Sequence, residues 1–296
     1  MEEEIVRWKQ AGMIAAKALQ FGKKLIKPEI RLLDVAEQVE QKIIDLGAKP
    51  AFPVNISMNQ IAAHYTPLPN DDSVFKDELV KLDVGAHVDG YIGDTACTID
   101  LSNTHQELVK ASQEALDAAI KVIRTGTELW EIGQAIRDAI NKYELAPIKN
   151  LSGHGLARYE LHAPPSTPNF NSNNKEKLTE NQVVAIEPFA TNGIGKIQET
   201  DNASIFSQIS EKNTRNRISR EILKEISTYD GFPFATRWLT KKFPEFKVRF
   251  ALKQLLNEDI LKDHTPLPEI NKGLVSQAEH SMIVKDKPII TTRPDD

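Results

Sequence analysis

Val80-Lys81-Leu82-Asp83-Val84-Gly85-Ala86-His87-Val88-Asp89-Gly90-Tyr91-Ile92-Gly93-Asp94-Thr95-Ala96-Cys97-Thr98-Ile99 is the stretch that decides the fold. In its first half Leu82, Val84, Ala86 and Val88 alternate with Lys81, Asp83, Gly85 and His87, the period of a β-strand. Asp89-Gly90 is a strong two-residue hairpin signal, and Tyr91–Ile99 returns with β-branched and aromatic residues. With Asp89 and Gly90 as the turn centre, Asp94 falls opposite Gly85. Asp83 and Asp94 then share one face as diagonal neighbours, roughly 7–8 Å apart before their side chains reach inward. A slip of one residue would put them on opposite faces. The turn therefore decides whether the two acids meet.

Three further groups lie in comparable settings. Val183-Val184-Ala185-Ile186-Glu187-Pro188-Phe189 is a β-prone run with one acid before a proline, which biases Glu187 towards extended geometry. Ser276–Val284 reads as another strand and carries Glu279. Leu151-Ser152-Gly153-His154-Gly155 sets an imidazole between glycines, where backbone and ligand can approach closely. Taken singly, His154 or Glu187 would suit a structural role. Together with the hairpin acids they make four carboxylates and one imidazole in or beside apolar runs, where an uncompensated charge is costly. Their convergence would build an oxygen-rich site for two divalent ions, and hydrolysis is the chemistry it would serve.

The motifs Lys81-Leu82-Asp83-Val84-Gly85, His87-Val88-Asp89-Gly90, Asp94-Thr95-Ala96, Asn150–His154, Ala185–Phe189 and Glu279-His280-Ser281 resemble those of the methionine aminopeptidases of the pita-bread metallopeptidase fold. Asn59–His64 is similar to the methionine-specific branch. The roughly ninety residues between Glu187 and Glu279 resemble the inserted subdomain of the type 2 form, in its archaeal version. The resemblance spans nearly the whole chain and is weakest across the insertion. It implies an α/β (α+β) pita-bread fold: pseudo-twofold duplicated helices packed on a curved antiparallel sheet, with an inserted helical subdomain.

By the same resemblance, the chain holds two divalent metal ions, Mn, Fe, Co or Zn. Asp83 binds one, His154 and Glu187 the other, and Asp94 and Glu279 bridge both. Glu187 shuttles a proton, while His64 and His162 flank the scissile bond as hydrogen-bond donors. Phe52, Leu161 and Phe189 are the candidates for an apolar methionine pocket. The implied reaction removes the initiator methionine from nascent polypeptides when the second residue is small, by metal-activated water attack on the first peptide bond. An X-Pro peptidase of the same fold and a non-catalytic peptide or RNA platform are the competing readings. The insertion and Ile61-Ala62-Ala63-His64 weigh against the first, and five filled ligand positions against the second.

Composition sets limits. The 296 residues are 40% apolar, enough for a sizeable core. A formal charge of −5 gives no general attraction to nucleic acid or membrane surfaces. Met1-Glu2-Glu3-Glu4 is not a signal-peptide start, and no apolar run approaches membrane-spanning length. Cys97 is the only cysteine, which excludes an intramolecular disulfide and fits a reducing cytoplasm. A cytoplasmic monomer without membrane contact is expected.

Ala18–Pro50 overlays Ala115–Pro147 at an offset of 97. Each copy reads as two amphipathic helices and a strand, the second helix lying near Leu32–Leu46 and Leu129–Leu145. Residues 201–272 are locally basic, with Arg215, Arg217, Arg220, Lys224, Lys241 and Lys242 among their cations. They are expected to form the inserted helical subdomain between catalytic segments 1–200 and 273–296. Their basic face is a candidate ribosome contact, since basic patches bind phosphates. His87, His105, His264 and His280 are assigned structural or surface roles.

Overall fold

In the computed structural model, which describes residues 2–293, the chain begins with helices α1 (Glu2–Leu25) and α2 (Leu32–Asp45). Met1 and residues 294–296, the outer ends of the two expected catalytic segments, lie outside the described residues. Glu2, Glu3 and Glu4 in the first turn of α1 and Lys23 and Lys24 in its last complement the helix dipole. Its Ala11, Ala15, Ala18, Leu19 and Gly22 recur at helical spacing and bury one stripe. Short strands β1 (Lys49–Pro50) and β2 (Asn55–Met58) follow, then the hairpin of β3 (Leu79–Val88) and β4 (Tyr91–Asp100). Asp89 and Gly90 both have positive φ, 50° and 86°, as in the type I′ turn whose twist suits a two-residue hairpin. Gly85 consequently faces Asp94.

The second half repeats this order with α3 (Gln106–Val122), α4 (Leu129–Asn141) and β5 (Ala146–Pro147); α4 and β5 start 97 residues after α2 and β1. A capping box between Glu128 and Glu131 starts α4. Strands β6 (Ser152–Ala157), β7 (Glu160–Pro168), β8 (Val183–Ile186) and β9 (Phe189–Thr191) come next. Within 201–272 lie β10 (Ile205–Gln208), α5 (Arg217–Ile226), β11 (Phe234–Ala235), α6 (Thr236–Thr240), α7 (Glu245–Asn257) and β12 (Leu261–His264). Here β10 is the middle of a three-stranded sheet, and Asn216 caps α5 by accepting from the N–H groups of Ile218 and Ser219. Strands β13 (Val275–Gln277), β14 (Glu279–Ile283) and β15 (Ile289–Ile290) complete the described chain.

The main sheet is antiparallel and curled, in the order β1-β3-β4-β14-β8-β6-β7, with β2 also on β3 and β15 on β14. Helices α1 and α2 bury Leu19, Val35 and Val39 against Leu82 and Val84 of β3. Helices α3 and α4 bury Leu116, Ile132 and Ile136 against Val184, Ile186 and Met282. Each such side chain contributes about 1.5–3 kcal/mol on burial. A separate core of Phe206, Ile222, Phe234, Leu239, Val248 and Leu252 serves the 201–272 segment. A buried polar cluster fastens that segment to α2. Glu40 accepts from the Arg237 guanidinium, from Trp238 Nε1 at 2.9 Å and from the Val54 N–H at 3.1 Å.

Candidate metal centre

The strand order brings the acids together. β14 lies between β4 and β8, so Glu279 faces Ala96 in the register with β4, two positions from Asp94. Glu187 directly follows β8, and His154 on β6 stands opposite Ala185. Gly153 and Gly155 permit that approach: a Cβ on Gly153 would come within 2.3 Å of the Ala185 carbonyl oxygen, and one on Gly155 within 2.2 Å of that of Pro164. Ligand atoms of Asp94, His154 and Glu279 lie within 4.8 Å of one another. His154 Nε2 is 3.8 Å from Asp94 Oδ2 and 3.6 Å from Glu187 Oε1. Asp83 joins the group through Gln277, whose Nε2 lies 3.5 Å from Asp83 Oδ2, 3.4 Å from Glu187 Oε2 and 3.4 Å from Glu279 Oε2.

These donors fit divalent cations. Burial pushes the Asp83 carboxyl up to about 7. Burial, then the neighbouring carboxylates, raise Asp94, Glu187 and Glu279 well above the ordinary carboxylate range. Among the described residues no Lys or Arg pairs with any of the four, and Asp83 Oδ1 and Asp94 Oδ1 have no hydrogen-bond partner. Burial, then His162, lowers His154 to about 3, so its ring is neutral. Its Nδ1 bonds the Gly155 carbonyl at 3.1 Å, the tautomer that leaves a lone pair on Nε2 facing Asp94 and Glu187. A lone pair facing carboxylates is repulsive unless a proton or a metal cation lies between them.

The acids form one wall of a cavity of about 530 Å³. Phe52, His64, Asp83, Asp94, His154, Leu161, His162, Glu187, Phe189 and Glu279 all line it. Phe52, Leu161 and Phe189 are buried apolar side chains, and the His162 ring lies 4.5 Å from that of His154. His64 has a left-handed φ of 64°. Burial first, then His264 and His162, hold His64 down near 3. The structure corrects one histidine assignment. His264 at the end of β12 lines the same cavity, its ring perpendicular to that of His64 at 5.8 Å and its Nε2 2.9 Å from Ser207 Oγ. Gln277, Asn55, Ile205 and Pro233 also belong to the site or its wall and carry no motif signal. His280 turns away to Thr292 Oγ1 at 2.9 Å, and His87 accepts from the Gly90 N–H.

The profile of metallopeptidase family M24 matches residues 7–223. A methionine aminopeptidase of Archaeoglobus fulgidus is 50% identical over 279 residues, 94% of either chain. One from Pyrococcus abyssi is 45% identical over 287 residues, 96% of this chain and 97% of that one. Among solved structures, a methionine aminopeptidase of Thermotoga maritima superposes with a TM-score of 0.73 at 23% identity, covering 99% of this chain and 98% of its own.

Proposed function

The chain belongs to the methionine aminopeptidases of metallopeptidase family M24, and from that premise we propose that it removes the initiator methionine from nascent polypeptides when the second residue is small. One observation carries the mechanism: Asp83, Asp94, Glu187 and Glu279 are gathered at one cavity wall, and no Lys or Arg among the described residues pairs with them. Bound cations would balance that charge and keep the carboxylates ionised near neutral pH. In this assignment Asp83 would hold one ion, His154 and Glu187 a second, and Asp94 and Glu279 would serve both. Bound ions would supply Lewis acidity and bring the pKa of water near neutrality. Four carboxylates and one imidazole suit Mn, Fe or Co as well as Zn. Glu187 takes a proton on its carboxylate and returns it to the leaving amine. His64 and His162 donate hydrogen bonds to the peptide on either side of the scissile bond. Phe52, Leu161 and Phe189 receive the methionine side chain and exclude water.

The insertion between Glu187 and Glu279 supports assignment to the type 2 form, with catalytic segments 1–200 and 273–296 around an inserted subdomain at 201–272. On that subdomain a surface hollow of about 1000 Å³ is lined by Lys212, Arg217, Arg220 and Lys224 together with Glu211, Glu221 and Asp230. Its cations suit a phosphate backbone, so this face meets the ribosome where nascent chains emerge. The protein works in the cytoplasm as a monomer. No helix among the described residues is long and apolar enough to cross a membrane.

Chelation followed by return of Mn, Co, Fe or Zn in turn, with Met-Ala-Ser, Met-Lys-Ser and Ala-Pro-Ala as substrates, tests the activity. Metal-dependent release of methionine from the first peptide alone is expected. Cleavage of only the proline peptide would move the chain to X-Pro chemistry, and no cleavage by folded protein would reject catalysis.

A further inference from the structure

Lys81 is the lysine that the site's chemistry leaves unexplained. It is 1% exposed, and no carboxylate among the described residues pairs with it. On β3 it precedes Asp83 by two positions and shares its face, flanked in the sheet by Ser57 and Thr98. A methionine or leucine would fill that space without the cost of burying an amine. What the amine does there is donate to the backbone carbonyl of Asn59 at 2.8 Å.

Asn59 is held from several sides. It has a left-handed φ of 51°, its N–H donates to the Leu79 carbonyl at 2.8 Å, and its Oδ1 accepts from the Leu79 N–H at 3.0 Å. Its own carbonyl accepts from the Val275 N–H at 3.1 Å as well as from Lys81. Five residues later the same loop delivers His64 to the cavity. The loop's far end is tied to the segment after β12: the Ala62 N–H donates to the Leu267 carbonyl, and the Leu267 N–H to that of Ala63. Leu267 packs with Ala62, Ala63 and Val275 in one apolar cluster, and the Asn59 side is anchored on the strand that carries Asp83.

We propose that Lys81 is a positioning residue for His64: its amine, seated beneath Asn59, references the 59–64 loop to β3 and so sets where His64 stands in the cavity. This rests on the role given to His64 above. It needs no proton transfer by Lys81 itself.

The test combines kinetics with the imidazole signals of His64 in protein labelled with 15N-histidine. Lys81→Met should move the His64 ring resonances, assigned by their loss in His64→Ala, and leave those of His105 in place. Its kcat should fall about tenfold to a hundredfold, as for a misplaced group, with KM nearly constant and cation stoichiometry unchanged. In the His64→Ala background the same substitution should cost no further kcat. Lys81→Gln, which keeps a donor, should restore part of both readouts, and it carries the test if Lys81→Met does not fold. Unmoved His64 resonances would overturn the proposal whatever the kinetics. Lost cation would place Lys81 with Asp83 instead. Full activity in His64→Ala would reject the role of His64 and leave the link to be judged by resonances alone.

Discussion

Asp94 stands where the hairpin meets β14. Its N–H donates to Ser281 Oγ at 3.1 Å, while its Oδ1 has no partner. Asp94→Asn keeps the shape and removes one like charge, so we expect activity to vanish, bound cation to fall, and the melting temperature of the metal-free protein to hold or rise. Turnover with full cation occupancy would remove Asp94 from its bridging role. His87 makes a prediction of a different kind. Burial, and then Lys49, lower its pKa to about 4, partly offset by Asp230 and Asp89, and its Nδ1 must stay unprotonated to accept from the Gly90 N–H. In the unfolded chain a histidine titrates near 6.5. Between those values the unfolded state binds a proton that the native state does not, so stability is full above about 6.5 and declines as pH falls towards 4. Denaturant melts at pH 7 and pH 5 should show a shallower decline in His87→Gln than in the wild type; equal slopes would exclude His87 as a source.

At the scale of elements, the Glu40–Arg237 cluster joins α2 to α6. Burial raises the Glu40 carboxyl, and Arg237 and Trp238 pull it back. Arg237→Met would strand that carboxylate in the interior, a loss of about 3–5 kcal/mol, whereas adding Glu40→Leu should recover most of it. Urea denaturation of the three variants measures the coupling, and simple additivity would mean the pair does not act as a unit. Elements differ in how plainly the sequence announced them. The β3–β4 hairpin was legible because Asp89-Gly90 fixes its register locally, and a fixed register puts Asp83 and Asp94 on one face. Gln277 was not, since a neutral amide makes no demand for a cation, although it stands two residues before Glu279 on the same face of its strand run. His264 sits beside Lys262 and Asp263, a surface-like setting. Its place in the cavity comes from the return of the insertion onto the 59–64 loop, which no local pattern encodes.

Across the whole molecule, the donors come from both sides of the main sheet: Asp83 and Asp94 from the first half, His154 and Glu187 from the second, Glu279 from between them. Cations bound to this set cross-link the halves. Removing them with chelator should lower the melting temperature, and returning them at a hundred times their Kd should restore about 2.7 kcal/mol. Asp94→Asn should lose most of that gain; an equal gain in the variant would locate the cation elsewhere. Motifs named the donors, but the strand order was hidden, because pairing between residues such as Thr95 and Glu279 spans 184 positions.

That order bears on how the chain is made. The five residues of β14 are synthesised after both strands they join. Until they arrive, β4 and β8 are open edges, templates for any passing β-prone segment, including the same segment of a neighbouring chain. A polypeptide stalled inside the 201–272 insertion carries both open edges at once. The length of that insertion thus sets how long each new molecule remains open to strand exchange and aggregation.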